Sequence, residues 1–260
     1  MSGTRSGEMT AMAQVRATAK ARDAWWTVLL VDPLALRLVQ WSAQRRWVTP
    51  NRLTVAAFVL TLAAATAFAQ GTRWWLVAGA LAYHVGFVLD CSDGKLARLR
   101  GTSSIIGQWL DFMLDRLGVT ICAVALFAAQ YGRTHRAVAL VVGTVVIFLN
   151  LFHQINGQVI EGALRQAQPT PEREATAATA GASEATGAVG RLRIVLARHR
   201  IRADVFSAIE FQMAIFVVGP LLGLVVPVAA AACPLLLLFD LALVAKFIRA
   251  ARSPSRIDTA

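Results

Sequence analysis

The chain has 260 residues, 57% of them hydrophobic, a formal net charge of +11 and a mean hydropathy of +0.56. Soluble domains carry roughly 45–50% apolar residues, so the composition excludes an ordinary water-soluble globule and places the surplus in a bilayer. The positive charge is spread over loops flanking apolar stretches, without the aromatic interleaving of a nucleic-acid motif. It points to anionic lipid headgroups as partners and away from nucleic acid.

In chain order, residues 1–22 are polar and expected to be poorly ordered, and they lack the short apolar core of a cleavable signal sequence. Residues 24–47 alternate apolar patches with Arg37, Arg45 and Arg46 and contain Trp25, Trp26, Trp41 and Trp47. That mixture predicts an N-terminal amphipathic helix lying at the cytoplasmic membrane interface, interrupted at Asp32-Pro33. Apolar stretches follow at 53–69, 74–89, 105–129, 137–152 and 205–247. A crossing needs roughly 20 apolar residues. The last stretch is too long for one, and Gly219, Pro220, Gly223 and Pro227 supply a turn that divides it. The expected fold is therefore all-α, an integral membrane protein of six transmembrane helices.

The predicted organisation is a juxtamembrane region 1–48, a catalytic membrane domain 49–250 and a basic tail 251–260. Within the domain, 166–190 is rich in Ala, Thr, Glu, Pro and Gly and reads as a flexible linker. Lys and Arg crowd the N-terminal region, the second and fourth loops and the tail, whereas the opposite side holds only Arg73, Arg133 and Arg136. Cytoplasmic loops retain positive charge, so both termini are expected in the cytoplasm, which six crossings satisfy. Cys91, Cys122 and Cys233 are isolated and read as small buried side chains. His84 and His153 are expected to be packed or hydrogen-bonded, and Asp240 to make a buried polar contact.

The chemistry concentrates between Asp90 and Asp115. Asp90 and Asp93 are three apart, and Asp111 and Asp115 four apart. Each pair therefore shares a helix face, one closing the second span and the other opening the third. A short connection joins those ends, so all four carboxylates lie at one side of the membrane. Two like charges ~4 Å apart repel by about 4 kcal/mol at an effective dielectric of 20, and Arg98 and Arg116 are too few to neutralise four. Two divalent ions cancel the charge, and an all-oxygen ligand set suits Mg²⁺ or Mn²⁺. Such a pair of ions serves phosphoryl chemistry. Gly94, Ala97 and Gly107 leave room for close approach, and Arg98 offers a fork of donors to a phosphate.

The spacing D-x2-D-G-x2-A-R-x8-G-x3-D-x3-D, fulfilled from Asp90 to Asp115, resembles the signature of the CDP-alcohol phosphotransferase family. Pro50, Asn51 and Thr54 resemble the family segment that contacts the CDP group. The resemblance implies that Asp90, Asp93 and Asp111 are metal ligands, and that Asp115 is both a ligand of the second ion and the general base. It further implies that Asn51, Thr54, Gly94, Ala97, Arg98, Ser104 and Gly107 surround the CDP moiety, and that the protein is a homodimer. The implied reaction moves a phosphatidyl group from CDP-diacylglycerol to a small alcohol with release of CMP, at the cytoplasmic face of a cell membrane. Transfer of a CDP-linked headgroup to diacylglycerol is the alternative direction.

Two other classes fit less well. Intramembrane prenyltransferases also bind a diphosphate through aspartates, but resemblance assigns them two widely separated acidic segments. A divalent-cation transporter needs acids through the membrane depth, whereas these gather at one face. The acceptor is left open among inositol phosphate, glycerol phosphate and other alcohols. Arg191, Arg193, Arg198, Arg200 and Arg202 read either as a phosphate-binding cluster or as positive-inside anchors.

Overall fold

In lipid every backbone N–H and C=O must be satisfied within the segment, and the regular elements among the described residues are all helical. The computed structural model of the chain describes residues 14–167, 200 and 206–252. Helix α1 (Asp32–Ala43) follows a π-helical turn, Thr27–Val31. Then come α2 (Pro50–Gln70), α3 (Arg73–Arg100), α4 (Ile105–Thr134), α5 (Val138–Ala167), α6 (Ala208–Leu222) and α7 (Val225–Arg252). Helices α2, α3, α4, α5 and α7 are long and apolar enough to cross a membrane.

The expected sixth crossing corresponds to α6. Its described residues extend only about 22 Å at 1.5 Å each, short of a hydrocarbon core of about 30 Å. Five crossing-length helices are therefore what the described residues contain. The turn before α7 lies at Gly223, which has φ +74°, and not at Gly219-Pro220. Pro220 stays helical because the preceding segment, Ala214–Val218, widens into a π turn in which the Gly219 N–H reaches the Ala214 carbonyl. Proline removes a donor and crowds the carbonyl four residues back, and a wider turn accommodates both. The same device precedes Pro33, where Asp32 N–H bonds Thr27 O. Asp32-Pro33 therefore reshapes its helix without ending it. All but the first two residues of the linker expected at 166–190 lie outside the described residues, as does the tail beyond Arg252.

Helix α2 packs on α3 and α4, α1 lies along α3, and α5 packs between α4 and α7. Their shared core holds Phe68, Tyr83, Leu126, Phe211, Phe216 and Leu236. The Tyr83 and Phe216 rings meet at 4.7 Å between centroids. Large apolar side chains such as Val59, Leu81, Val141, Phe148 and Leu238 instead point outward. That distribution suits a lipid solvent, which rewards no apolar burial. His153 Nδ1 lies 2.6 Å from Asp240 Oδ1 across α5 and α7, giving each the polar partner expected of it. His84 packs edge-on against Trp26, with ring centroids 6.0 Å apart.

Arginines tie the ends of the bundle. At one end Arg73 donates to Pro220 O at 2.7 Å and also to Leu221 O, and Arg133 donates to Gly71 O at 2.8 Å. At the other end Arg100 donates to the carbonyls of Val48, Ser42 and Arg45. These are carbonyls of the last turn of α1 and its following loop, of which Ser42 O and Arg45 O also accept the Arg45 and Val48 N–H groups. Helix α1 is also held by an ion pair from Asp32 to Lys95 at 3.1 Å, each side chain 6% exposed. The segment before α1 differs from expectation. Residues 14–22 are placed, with Val15 buried among Val39, Val48, Leu53 and Leu96, because an apolar anchor offsets the ordering cost of a polar strap.

Candidate active site

Helix α3 runs unbroken to Arg100, so Asp90 and Asp93 lie within its last three turns and not at its terminus. Gly101, at φ +62°, ends the helix in the left-handed conformation that only glycine adopts freely. Its N–H and that of Thr102 return to the Arg98 and Ala97 carbonyls. Ser104 then caps α4, its hydroxyl accepting from Gly107 N–H at 3.0 Å. This tight connection sets the two acidic helix segments side by side.

Asp90, Asp93 and Asp111 converge, each offering one carboxylate oxygen, with those oxygens all within 4.8 Å of one another. Asp111 Oδ1 is buried and has no hydrogen-bond partner among the described residues. Metal–oxygen bonds of about 2.0–2.6 Å bring opposed ligands about 4–5 Å apart, so this all-carboxylate cluster fits a hard divalent cation. Asp115 stands apart from the trio and accepts a charge-assisted hydrogen bond from Arg116 Nη2. It shares with Asp90, Asp93 and Asp111 the wall of one cavity.

Thr54 locks Asp93 in place, donating to its Oδ2 at 2.5 Å in a buried contact between α2 and α3. Thr54 belongs to α2 because Thr49 caps that helix and Pro50 opens it with its φ already set. A pocket of about 70 Å³ lies beside this contact, lined by Asn51, Thr54, Gly94, Ala97, Ser104 and Gly107, among others. Six of the seven residues expected around the CDP moiety thus meet in one place. Gly107 is needed there for a local reason. A Cβ would stand 2.9 Å from Ser104 Oγ and 3.2 Å from Asn51 Oδ1.

Arg98, the seventh, faces elsewhere. It lines a larger cavity of about 340 Å³, and its Nε donates to Thr18 O at 2.9 Å. That cavity is lined by residues of α3 and α4, by Gln154 of α5 and Gln212 of α6, and by Lys20 and Asp23 of the segment before α1. Sequence reasoning missed these four residues and the Asp32–Lys95 pair. A signal existed for the pair: Lys95 sits among aspartates inside an apolar helix, where a charge requires a partner. Of the basic cluster expected between 191 and 202, only Arg200 lies among the described residues. It donates to Lys20 O at 2.5 Å through Nη2 and approaches Asp32 Oδ2 at 3.5 Å, so it clamps the strap onto α1.

A family model described as CDP-alcohol phosphatidyltransferase matches residues 47–245, which takes in both cavities and all four aspartates. The chain belongs to this family. It is, with its membrane-crossing helices, a multi-pass membrane protein. Among relatives, it is 41% identical over 70 residues to an archaetidylinositol phosphate synthase of Pyrococcus horikoshii, covering 27% of this chain and 36% of that protein. It is 28% identical over 99 residues to an archaetidylinositol phosphate synthase of Methanothermobacter thermautotrophicus, covering 38% of this chain and 49% of that protein. The similarity thus spans half or less of these relatives' lengths.

Proposed function

We propose that the chain transfers a phosphatidyl-type group from a CDP-linked lipid to an alcohol, releasing CMP, and that the alcohol is inositol phosphate. The observation that carries the reaction class is the convergence of Asp90, Asp93 and Asp111 beside the small pocket of Asn51, Thr54 and Gly107. The names of the two relatives support the acceptor.

In this reading the small pocket takes the cytidine nucleotide, with Gly94 and Ala97 leaving it room, Ser104 shaping its rim and Arg98 turned toward the diphosphate. Asp90, Asp93 and Asp111, with Asp115 beside them, would hold two Mg²⁺ or Mn²⁺ ions. When bound, such ions grip diphosphate oxygens and offset the charge that appears on the leaving nucleotide. Asp115 accepts the acceptor hydroxyl proton. The acceptor oxygen forms a bond to the phosphorus bearing the lipid as the bond from that phosphorus to CMP breaks. General-base assistance contributes about 10²–10⁴-fold, so positioning and charge stabilisation supply the remainder.

The active end of the bundle faces the cytoplasm, in accord with the basic residues gathered there. Helix α1 and the turn before it lie in the interface, supported by Leu34 and Trp41 of the helix and Leu29 and Leu30 of the turn, which stay exposed. Helix α6, though short, is the sixth membrane-embedded segment in this reading, and family membership supports a homodimer. The test is CMP release from CDP-diacylglycerol by purified protein with Mg²⁺ and inositol phosphate. Asp115→Asn is expected to abolish release while still binding CDP. Unchanged turnover in that variant removes the assignment of Asp115, and no release by the unaltered chain with any alcohol removes the reaction class.

A further inference from the structure

Residues 14–23 lie ahead of the stretch that the family model matches, yet they reach the cavity that holds the four aspartates. Two anchors hold them. Val15 is buried among Val39, Val48, Leu53 and Leu96. Further on, Arg200 donates to Lys20 O through Nε at 3.2 Å and Nη2 at 2.5 Å, and its own carbonyl accepts the Asp23 N–H at 2.9 Å. Residues 14–17 are helical, and the helix ends at Thr18. Carbonyls at a helix end have no intrahelical donor, and the Thr18 carbonyl accepts from Arg98 Nε at 2.9 Å. That bond does not use the Nη nitrogens of the guanidinium, and Arg98 is exposed, so a ligand can reach them. Nη1 stands beside Gly94, where an added Cβ would meet it at 3.5 Å. Gly94 lines both the small pocket and the 340 Å³ cavity, as Asp93 and Asp111 do. The arginine fork therefore sits at the boundary between the two.

We infer that this N-terminal strap is a positioning element for the donor site: the Thr18 carbonyl pins Arg98 at Nε, so that its Nη fork is already set where the diphosphate of a CDP-linked lipid lies. This role rests on the reaction proposed above and deepens it. A nucleotide in the small pocket whose lipid-bearing phosphorus reaches the aspartates has its diphosphate at that boundary. The planar fork matches phosphate oxygens in pairs. An exposed arginine held at no point samples many rotamers, and ligand binding has to remove that freedom. Fixing Nε beforehand removes part of it in the free protein, which is preorganisation. Thr18 acts on Arg98 through its backbone oxygen, so the placement of the strap is what counts. The Thr18 hydroxyl serves that placement, donating to Val15 O at 2.6 Å. Linkage makes the effect mutual. If a docked strap favours the diphosphate, a bound diphosphate favours the docked strap.

The test undocks the strap in the full chain, in lipid nanodiscs, with Val15→Asp, Arg200→Ala and the two combined. Trypsin cleavage after Arg16, Lys20 and Arg22 reports release of the strap. Calorimetric titration with CDP and Mg²⁺ measures the donor site without turnover, and CMP release from CDP-diacylglycerol gives KM. The combined variant should be cut faster and bind CDP about 3–30-fold more weakly, the scale of a long side chain's rotamer entropy. KM for CDP-diacylglycerol should rise by a similar factor. The same undocking is repeated on Arg98→Ala. There CDP affinity should stay within about twofold of Arg98→Ala alone, because the group being positioned is gone. General damage to the fold would instead weaken both backgrounds alike. In the unaltered chain, saturating CDP should slow the cleavage. Undiminished CDP affinity in a variant whose strap trypsin cuts freely overturns the inference. So does an equal loss on Arg98→Ala, or faster cleavage when CDP is bound. Cleavage unchanged in the combined variant also overturns it, since the two anchors would then not hold the strap. Absent CMP release by the unaltered chain refutes the reaction and leaves the strap to the CDP titration, whereas a chain that binds no CDP overturns both.

Discussion

Replacing Asp32 by Asn leaves the Lys95 ammonium buried without the carboxylate that faces it at 3.1 Å. At an effective dielectric of 20, the attraction lost at that distance is about 5 kcal/mol. Removing one partner of a buried pair destabilises proteins by about 3–5 kcal/mol, because the remaining charge is uncompensated. The Cys91 carbonyl, 3.1 Å from Lys95 Nζ, still accepts a hydrogen bond and keeps the loss toward the lower figure. For a chain of this size the expected fall in apparent Tm is on the order of 10 °C. Thermal scans by far-UV circular dichroism in nanodiscs measure it. The double variant Asp32→Asn with Lys95→Met removes the stranded charge and should recover most of the loss. A single variant that melts with the unaltered protein would refute the reasoning. A double variant no better than the single would refute it too, because the cost would then belong to α1 packing and not to charge.

Thr54→Val removes the buried hydrogen bond to Asp93 Oδ2. A bond to a charged acceptor contributes about 1.5–3 kcal/mol, so transfer should fall about 10–100-fold, measured as CMP release at saturating Mg²⁺. Gly107→Ala puts a methyl 2.9 Å from Ser104 Oγ and 3.2 Å from Asn51 Oδ1. CDP affinity should drop about tenfold while inositol phosphate affinity holds, both read by titration. Arg100→Ala removes the side-chain bonds to the carbonyls of Ser42, Arg45 and Val48, the first two of which keep backbone partners, and should lower stability by about 2 kcal/mol, detected as earlier melting and faster proteolysis after α1. Chelation by EDTA should stop CMP release and Mg²⁺ or Mn²⁺ should restore it, whereas activity surviving exhaustive chelation would remove the ions from the reaction.

Much of this architecture is written in short-range patterns. Apolar runs of crossing length and the positions of Thr49-Pro50, Gly101 and Ser104 decide where helices begin and end. Spacings of three and four put Asp90 with Asp93 and Asp111 with Asp115 on single helix faces, and a short connection forces both pairs to one end. These are consequences of the helical repeat and of chain continuity, so a single sequence suffices to read them. Asn51, Thr54, Gly94, Ala97, Ser104 and Gly107, grouped by resemblance to the family's motifs, line one pocket.

Partners across helices obey no such local rule. Thr54 and Asp93 are 39 residues apart, and His153 and Asp240 are 87 apart. Only the rotation and depth at which packed helices settle brought these side chains within bonding distance. Docking of residues 14–22 turned Arg98 to Thr18 and brought Lys20 to the cavity wall, and the π turn before Pro220 moved the last bend to Gly223. Sequence by itself determined which residues share a helix face and which end of the bundle holds the acids, because those depend on backbone geometry alone. Tertiary structure decided which charges are paired and how large the cavity is, because those depend on distances between segments that no periodicity encodes.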